Sequence, residues 1–287
     1  MSDILFELTN VRKVYRMGSE RVVALDDVSL TFERGKIYCL LGTSGSGKST
    51  LLNLLAGLEK PSKGSIKFRG SPLEKMNETQ LALYRQRYIG FVFQSYNLLP
   101  TLTALENVTL PLIFRKVSKR KRSQAARAML KAVGLGNRWR HKPSELSGGQ
   151  QQRVSMARAF VNDPQVVFAD EPTGNLDTKT TYEMMNMITE IARKNNQTLI
   201  IVTHDTEIAQ YANQIIRIRD GNVESITENE NPMEKGSEKD GESEANDEKN
   251  NEVGQAGNGT APDNDVVNDG NAGEGEQPVG NTGSDMG

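Results

Sequence analysis

The residues with the most specific chemistry are Gly42-Thr43-Ser44-Gly45-Ser46-Gly47-Lys48-Ser49, followed by Thr50. They match the pattern G-x-x-x-x-G-K-[ST]. The apolar run Ile37–Leu41 precedes them and the helix-like segment Ser49–Ala56 follows, the strand–loop–helix setting this pattern requires. Glycines let the backbone curl without Cβ clashes, so successive N–H groups point at an anion lying on the positive end of a helix. Such a loop holds a triphosphate. Lys48 would reach the β- and γ-phosphates as a point charge, and the Ser49 hydroxyl would be one ligand of a Mg²⁺ ion.

A second constellation sits at the ends of apolar runs. Gln165-Val166-Val167-Phe168-Ala169 reads as a buried strand and delivers Asp170 and Glu171 at its C-terminal end. A phosphate-loop enzyme needs one carboxylate at its metal, directly or through water, and Asp170 suits that role. Glu171 has no place in a core; an acid beside a metal-bound γ-phosphate is placed to orient and deprotonate the attacking water. Ile89–Phe93 ends in Gln94, and Thr198–Val202 ends in Thr203-His204-Asp205. Strand ends are where α/β sheets meet their ligands, and His204 there is able to hydrogen-bond a phosphate oxygen. His141 lies in a polar loop with no chemistry expected of it. Tyr15, upstream of the phosphate loop, reads either as packing or as a platform for an adenine ring. Ser147-Gly148-Gly149-Gln150 opens a helix and is a further potential anion site.

These residues need an α/β scaffold, and the patterning supplies one. Ile4–Leu8 and the alternation Val28, Leu30, Phe32 read as strands, and Ser65–Phe68 as another. A polar helix is expected from near Asn77 to Arg87. From about 95 to 163 the character changes to helical: Thr103–Glu106 has capping-box spacing, a second helix follows Ser118 and stops at Gly134, and the Ser147 helix ends at Asn162-Asp163-Pro164. Lys119-Arg120-Lys121-Arg122 within this insertion reads either as a solvated helix end or as a patch near anionic lipid headgroups. A long helix to about Lys194 should bury Ile188, Ile191 and Ala192, and the domain should close with Ile215–Arg219, the turn Asp220-Gly221 and a returning strand at Val223.

Charge divides the 287 residues in two. Residues 228–287 hold sixteen Asp/Glu against three Lys, a net of −13, whereas residues 1–227 carry 32 Lys/Arg against 21 Asp/Glu, a net of +11. The acidic segment has no Leu, Ile or aromatic residue, so it cannot bury enough apolar surface to offset chain entropy and is expected to be disordered. Residues 1–227 suffice for one globular unit. The one cysteine, Cys39, lies inside an apolar strand and reads as a small core residue. Met1-Ser2-Asp3 leads straight into domain sequence and no stretch approaches 18 apolar residues, which points to a cytoplasmic protein acting at a membrane only through a partner that spans it.

The phosphate loop, Gln94, the Leu146-Ser147-Gly148-Gly149-Gln150 run, Asp170-Glu171, Asp177 and His204 occur together and in this order. The set resembles the ATP-binding-cassette (ABC) ATPases from about Leu5 to Ile226. The resemblance implies a P-loop core with a mixed sheet, an antiparallel β subdomain and an α-helical signature subdomain. It also implies roles: Tyr15 stacks on adenine, Gln94 senses metal and water, and Ser147 and Gly149 meet the γ-phosphate of the opposite subunit of a head-to-tail dimer. Glu171 is then the base, His204 steadies the γ-phosphate, and Asp177 communicates between subunits. Phe91–Gln94 followed by Asn97–Val108 is similar to the macrolide-efflux and lipoprotein-release group. The expected function is ATP hydrolysis, with Mg²⁺, that drives a separate integral membrane permease from its cytoplasmic face. The alternative is an ATP-driven regulatory module of a membrane complex, as in cell division. Nucleic acid is not expected as a partner: the long coiled coils of DNA-repair members and the paired cassettes of translation factors are both missing.

Overall fold

The structure is a computed structural model that describes residues 3–233. Two sheets form its frame. The larger has strands β3 (Ile37–Leu41), β6 (Ile89–Phe93), β7 (Val166–Asp170), β8 (Thr198–Thr203), β9 (Gln214–Arg219) and β10 (Asn222–Glu228) in the order β10-β9-β3-β8-β7-β6. All pairs in it are parallel except β9–β10, so the C-terminal ends of β3, β6, β7 and β8 share one edge. The smaller sheet is antiparallel, with β1 (Ile4–Met17) between β2 (Glu20–Glu33) and β4 (Lys63–Phe68), and β5 (Ser71–Pro72) outside β4. An α/β fold with a mixed sheet and an antiparallel β unit is therefore what the sequence folds into.

Side-chain alternation explains why the parallel strands read as unbroken apolar runs. In β3, Ile37, Cys39 and Leu41 point into one core and Tyr38 and Leu40 into the other. β8 divides likewise, Leu199 and Ile201 against Ile200 and Val202. A strand covered on both faces has no polar side to show. The first core is closed by helices α3 (Ala104–Phe114), α4 (Lys119–Ala132), α5 (Gly148–Phe160) and α6 (Thr178–Lys194). The second lies between the two sheets and takes in α1 (Lys48–Leu55) through Leu51, Leu52, Leu54 and Leu55. Phe6, Phe68, Phe91 and Phe168 form its aromatic centre, with ring centroids 5.2–6.4 Å apart. α2 (Glu78–Tyr88) and the short α7 (Thr206–Ala209) complete the unit. Asn77 and Thr103 cap α2 and α3 in reciprocal capping boxes, as their spacing requires. Among the described residues no helix is long and apolar enough to cross a membrane.

The boundary expected at residue 227 falls inside β10, and ordered contacts run past it. The Asn229 backbone N–H donates to Asn213 O, and its side-chain amide donates to Gln210 O and Ala212 O, all at 2.8–3.1 Å. Met233 packs against the first core and its N–H donates to Gln210 O. Ending the chain after Thr227 should cost roughly 2 kcal/mol, from about 1 kcal/mol for each well-made hydrogen bond partly offset by exposure, and lower the melting midpoint by about 4–8 °C. Thermal unfolding followed by circular dichroism checks this; an unchanged midpoint would show that residues 228–233 contribute nothing. The acidic segment from residue 234 onward, and the expectation of disorder there, lie outside the described residues.

Candidate functional site

The phosphate loop joins β3 to α1 at the shared strand edge. Gly47 caps α1 at φ 106°, and a Cβ there would come within 2.5 Å of Ala24 O. Gly42 is under equal constraint, since a Cβ would lie 2.2 Å from Ile218 O on β9. Only glycine fits either place. The Lys48 side chain is buried and donates to Gly42 O at 2.8 Å and Thr43 O at 2.7 Å, so its ammonium is held inside the curl of its own loop. Burial lowers its pKa, an effect that the nearby Glu171 and Asp170 carboxylates oppose. Ser46 Oγ is buried in the same curl with no hydrogen-bond partner. A loop with an enclosed cation and an orphaned hydroxyl at the start of a helix is complementary to a phosphate chain.

Asp170 and Glu171 stand beside it. The Asp170 carboxyl is pushed up by burial first and by Glu171 second, while Lys48 and a hydrogen bond from Ser49 pull it down. Two carboxylates sharing one ammonium leave the site short of positive charge. Ser49 and Asp170 are hard oxygen donors at that point and fit a Mg²⁺ ion that completes its shell with phosphate oxygens and water.

Glu171 follows β7 at φ 45°, a left-handed conformation that costs a non-glycine residue about 1–2 kcal/mol. The turn keeps its N–H on Val202 O at 2.9 Å while the carboxylate meets the end of β8. There Thr203 Oγ1 donates to Glu171 Oε2 at 3.2 Å and His204 Nδ1 stands 2.9 Å from Oε1. Strain at this residue is offset by contacts that fix its carboxylate. The direct Glu171–His204 contact joins two residues that the sequence singled out separately. A cavity of about 250 Å³, lined by Glu171, His204, Thr173, Tyr182 and Glu207 among others, leaves room for water beside the carboxylate.

Gln94 lies one residue beyond β6, its backbone O accepting from Asn175 Nδ2 at 3.1 Å; a Cβ on Gly174 would come within 2.8 Å of its amide. Asp177 caps α6, accepting from Thr180 N and Thr180 Oγ1. Ser147 and Gln150 close a capping box at the start of α5, at 3.2–3.3 Å. The neighbours that added Cβ atoms at Gly148 and Gly149 would meet are Tyr96 and Thr180, so within one chain this helix end borders the Gln94 loop and α6, not the phosphate loop. Tyr15 sits in β1 with its hydroxyl donating to Glu59 Oε2 at 2.8 Å, an acceptor that also takes Lys13 at 2.8 Å.

Three residues were missed in the sequence. Glu59 anchors the Tyr15 ring. Gln152 is fully buried and its amide donates to Phe93 O at 3.3 Å and Pro172 O at 2.5 Å, linking the strand ends that carry Gln94 and Glu171. Arg158 donates to Tyr96 O at 2.8 Å and Asn97 O at 2.5 Å, bracing two consecutive left-handed residues of the Gln94 loop. A signal for Gln152 existed: it lies four residues before Met156 and eight before Phe160, on the core stripe of α5, where an amide must have a reason.

The profile of the ABC transporter family matches residues 25–174. An uncharacterized ABC transporter ATP-binding protein of Thermotoga maritima is 49% identical, over 77% of this chain and 94% of its own length. The macrolide export ATP-binding/permease protein MacB of Shewanella sp. W3-18-1 is 46% identical over 77% of this chain, which spans only 34% of that longer relative. Among solved structures, the dimeric ATP-binding cassette MJ0796, in a post-hydrolysis state bound to ADP and Pi, superposes with a TM-score of 0.73 at 41% identity, covering 78% of this chain and 98% of that one. The resemblance to the macrolide-efflux group is thus borne out. With the family profile spanning over half of its length and a whole ATP-binding protein nearly half identical to it, the chain belongs to the ABC transporter family, in the part that binds ATP.

Proposed function

We propose that this cassette hydrolyses ATP with Mg²⁺ and transmits the cycle to a separate integral membrane permease. In this reading Lys48 and the loop N–H groups hold the β- and γ-phosphates, Tyr15 faces the adenine, and Glu171 takes a proton from the attacking water while His204 orients that carboxylate and steadies the γ-phosphate. Mg²⁺ bound by Ser49 and Asp170, and approached by Gln94, would supply neutralising charge at the phosphates.

The observation that carries the coupling is the attachment of the Gln94 loop to α5. Gln152 and Arg158 tie Phe93, Tyr96 and Asn97 to the helix whose first turn is Gly148-Gly149. The same loop exposes Leu99, at 47% of its surface. A membrane partner seated on Leu99 would therefore move the signature helix and Gln94 together. In the MacB relatives the ATP-binding and permease functions are named for one longer chain; here we assign the permease to another. The test is co-expression with a permease-like reading frame beside the gene. Permease-stimulated ATP turnover is expected, and Leu99→Asp should reduce that stimulation at least about tenfold while basal turnover stays within about twofold, as buried apolar contacts of this size imply. Equal stimulation of the variant would remove this loop as the coupling surface. Stimulated turnover with no cargo moved would instead support the regulatory role.

A further inference from the structure

Between Glu106 and Glu145 the chain has no acidic residue and eleven Lys/Arg. That equals the entire +11 of residues 1–227, which are otherwise neutral. Six of these cations, Arg115, Lys116, Lys119, Arg120, Lys121 and Arg122, fall within eight residues at the corner joining α3 to α4. All but Arg122 are exposed, and none of the six forms an ion pair among the described residues. Four occupy the first turn of α4, the positive end of its dipole, where acids belong and none is present. Ser118 does not relieve the turn, since its side chain makes no cap hydrogen bond. Arg115, at the end of α3, donates to Asn162 O and Oδ1, and Arg122 donates to Val117 O, so these two also serve the fold. Helix stability argues against Lys119, Arg120 and Lys121, whose side chains have no carboxylate partner among the described residues at the positive end of α4.

Directly before them, at the end of α3, Ile113 and Phe114 are exposed at 42% and 67%. Large apolar side chains standing in water beside six unpaired cations make an amphiphilic corner. We propose that this corner docks on an anionic lipid surface, the cations at the headgroup phosphates and Phe114 with Ile113 in the headgroup–acyl boundary. A polyanion without an apolar phase would satisfy the charges but not an exposed isoleucine. The apolar pair therefore favours a lipid surface over nucleic acid or an acidic peptide. The proposal rests on the reading that the cassette works at a membrane, but it needs no permease.

The test is co-sedimentation of the full chain, without permease, with vesicles of phosphatidylcholine containing phosphatidylglycerol, against vesicles of phosphatidylcholine alone and against a short DNA duplex. Binding to the anionic vesicles only, weakening as salt rises, is expected. Each Lys or Arg near such a surface contributes about fivefold to partitioning, so Lys119→Ser/Arg120→Ser/Lys121→Ser together should reduce it about a hundredfold. Phe114→Ser should reduce vesicle binding about tenfold and leave any binding to DNA unchanged. Basal ATP turnover equal to that of the parent shows that each variant is folded. Vesicle binding insensitive to Phe114→Ser, or DNA bound as tightly as the anionic vesicles, would reduce the corner to a general polyanion site and overturn the proposal. Absence of vesicle binding by a chain that still responds to its permease would overturn the lipid contact alone and leave the proposed function standing.

Discussion

Glu171→Gln should lower ATP turnover by about 10²–10⁴-fold while ATP still binds. The amide has the shape of the carboxylate and can still accept from Thr203 Oγ1, so the strained backbone at φ 45° and its contact with β8 remain in place. What disappears is the proton acceptor beside the cavity that has room for the attacking water. Nucleotide then binds to Lys48 and its loop but is not consumed, and the ATP-bound dimer accumulates. Steady-state phosphate release and size-exclusion chromatography with ATP measure the two halves of this result. Turnover within about threefold of the parent would dismiss Glu171 as the base, because loss of a general base costs more than that.

The second large effect is expected from mixing two inactive variants, Lys48→Ala and Ser147→Arg. In one chain the start of α5 borders Tyr96 and Thr180, so that end has no phosphate loop of its own subunit beside it. The solved relatives are dimers, and a head-to-tail arrangement would set the Ser147 end of one chain against the Lys48 loop of the other. Each homodimer of a variant carries two broken sites. A mixed dimer gathers both lesions into one site and leaves the other intact. ATP-dependent cross-linking across that intact site should return on mixing, from background toward about a quarter of the parental number of cross-linked sites, since random pairing makes half of the dimers mixed and each keeps one site of two. If each site lies within a single chain, mixing rescues nothing. Cross-linking is a better readout than turnover, which can require both sites to be filled.

Local patterns carried much of this architecture in the sequence. The parallel strands were legible because burial on both faces leaves an unbroken apolar run, and Asp170-Glu171 were legible because two acids ending such a run have no packing role. Thr103 announced its helix through a capping box that the structure closes, and the structure closes boxes of the same kind at Asn77 and Ser147. The 14-residue length of β1 and β2 was hidden. The outer end of β2, Glu20 to Val23, is exposed on both faces, and bulges break the hairpin's period-two pattern. Contacts between distant residues were hidden too: Tyr15 with Glu59, Gln152 with Phe93, and Glu171 with His204 lie 44, 59 and 33 residues apart. The contacts of Asn229–Met233 were hidden as well, because one amide side chain and one methionine hold the segment, with no apolar run to mark it.

Cys39 sits in the middle of β3, buried, with burial pushing its thiol pKa up to about 12. At pH 8 only about one molecule in ten thousand then carries the thiolate that maleimides and disulfide reagents require, and the surrounding sheet denies them access as well. With no other cysteine in the sequence, the native chain is already silent toward such reagents. A cysteine introduced at the signature helix or the phosphate loop would be the single point of attachment for a spin label, a dye or a bridge to a second subunit. Distances across the dimer become measurable without first rebuilding the core strand that carries the phosphate loop.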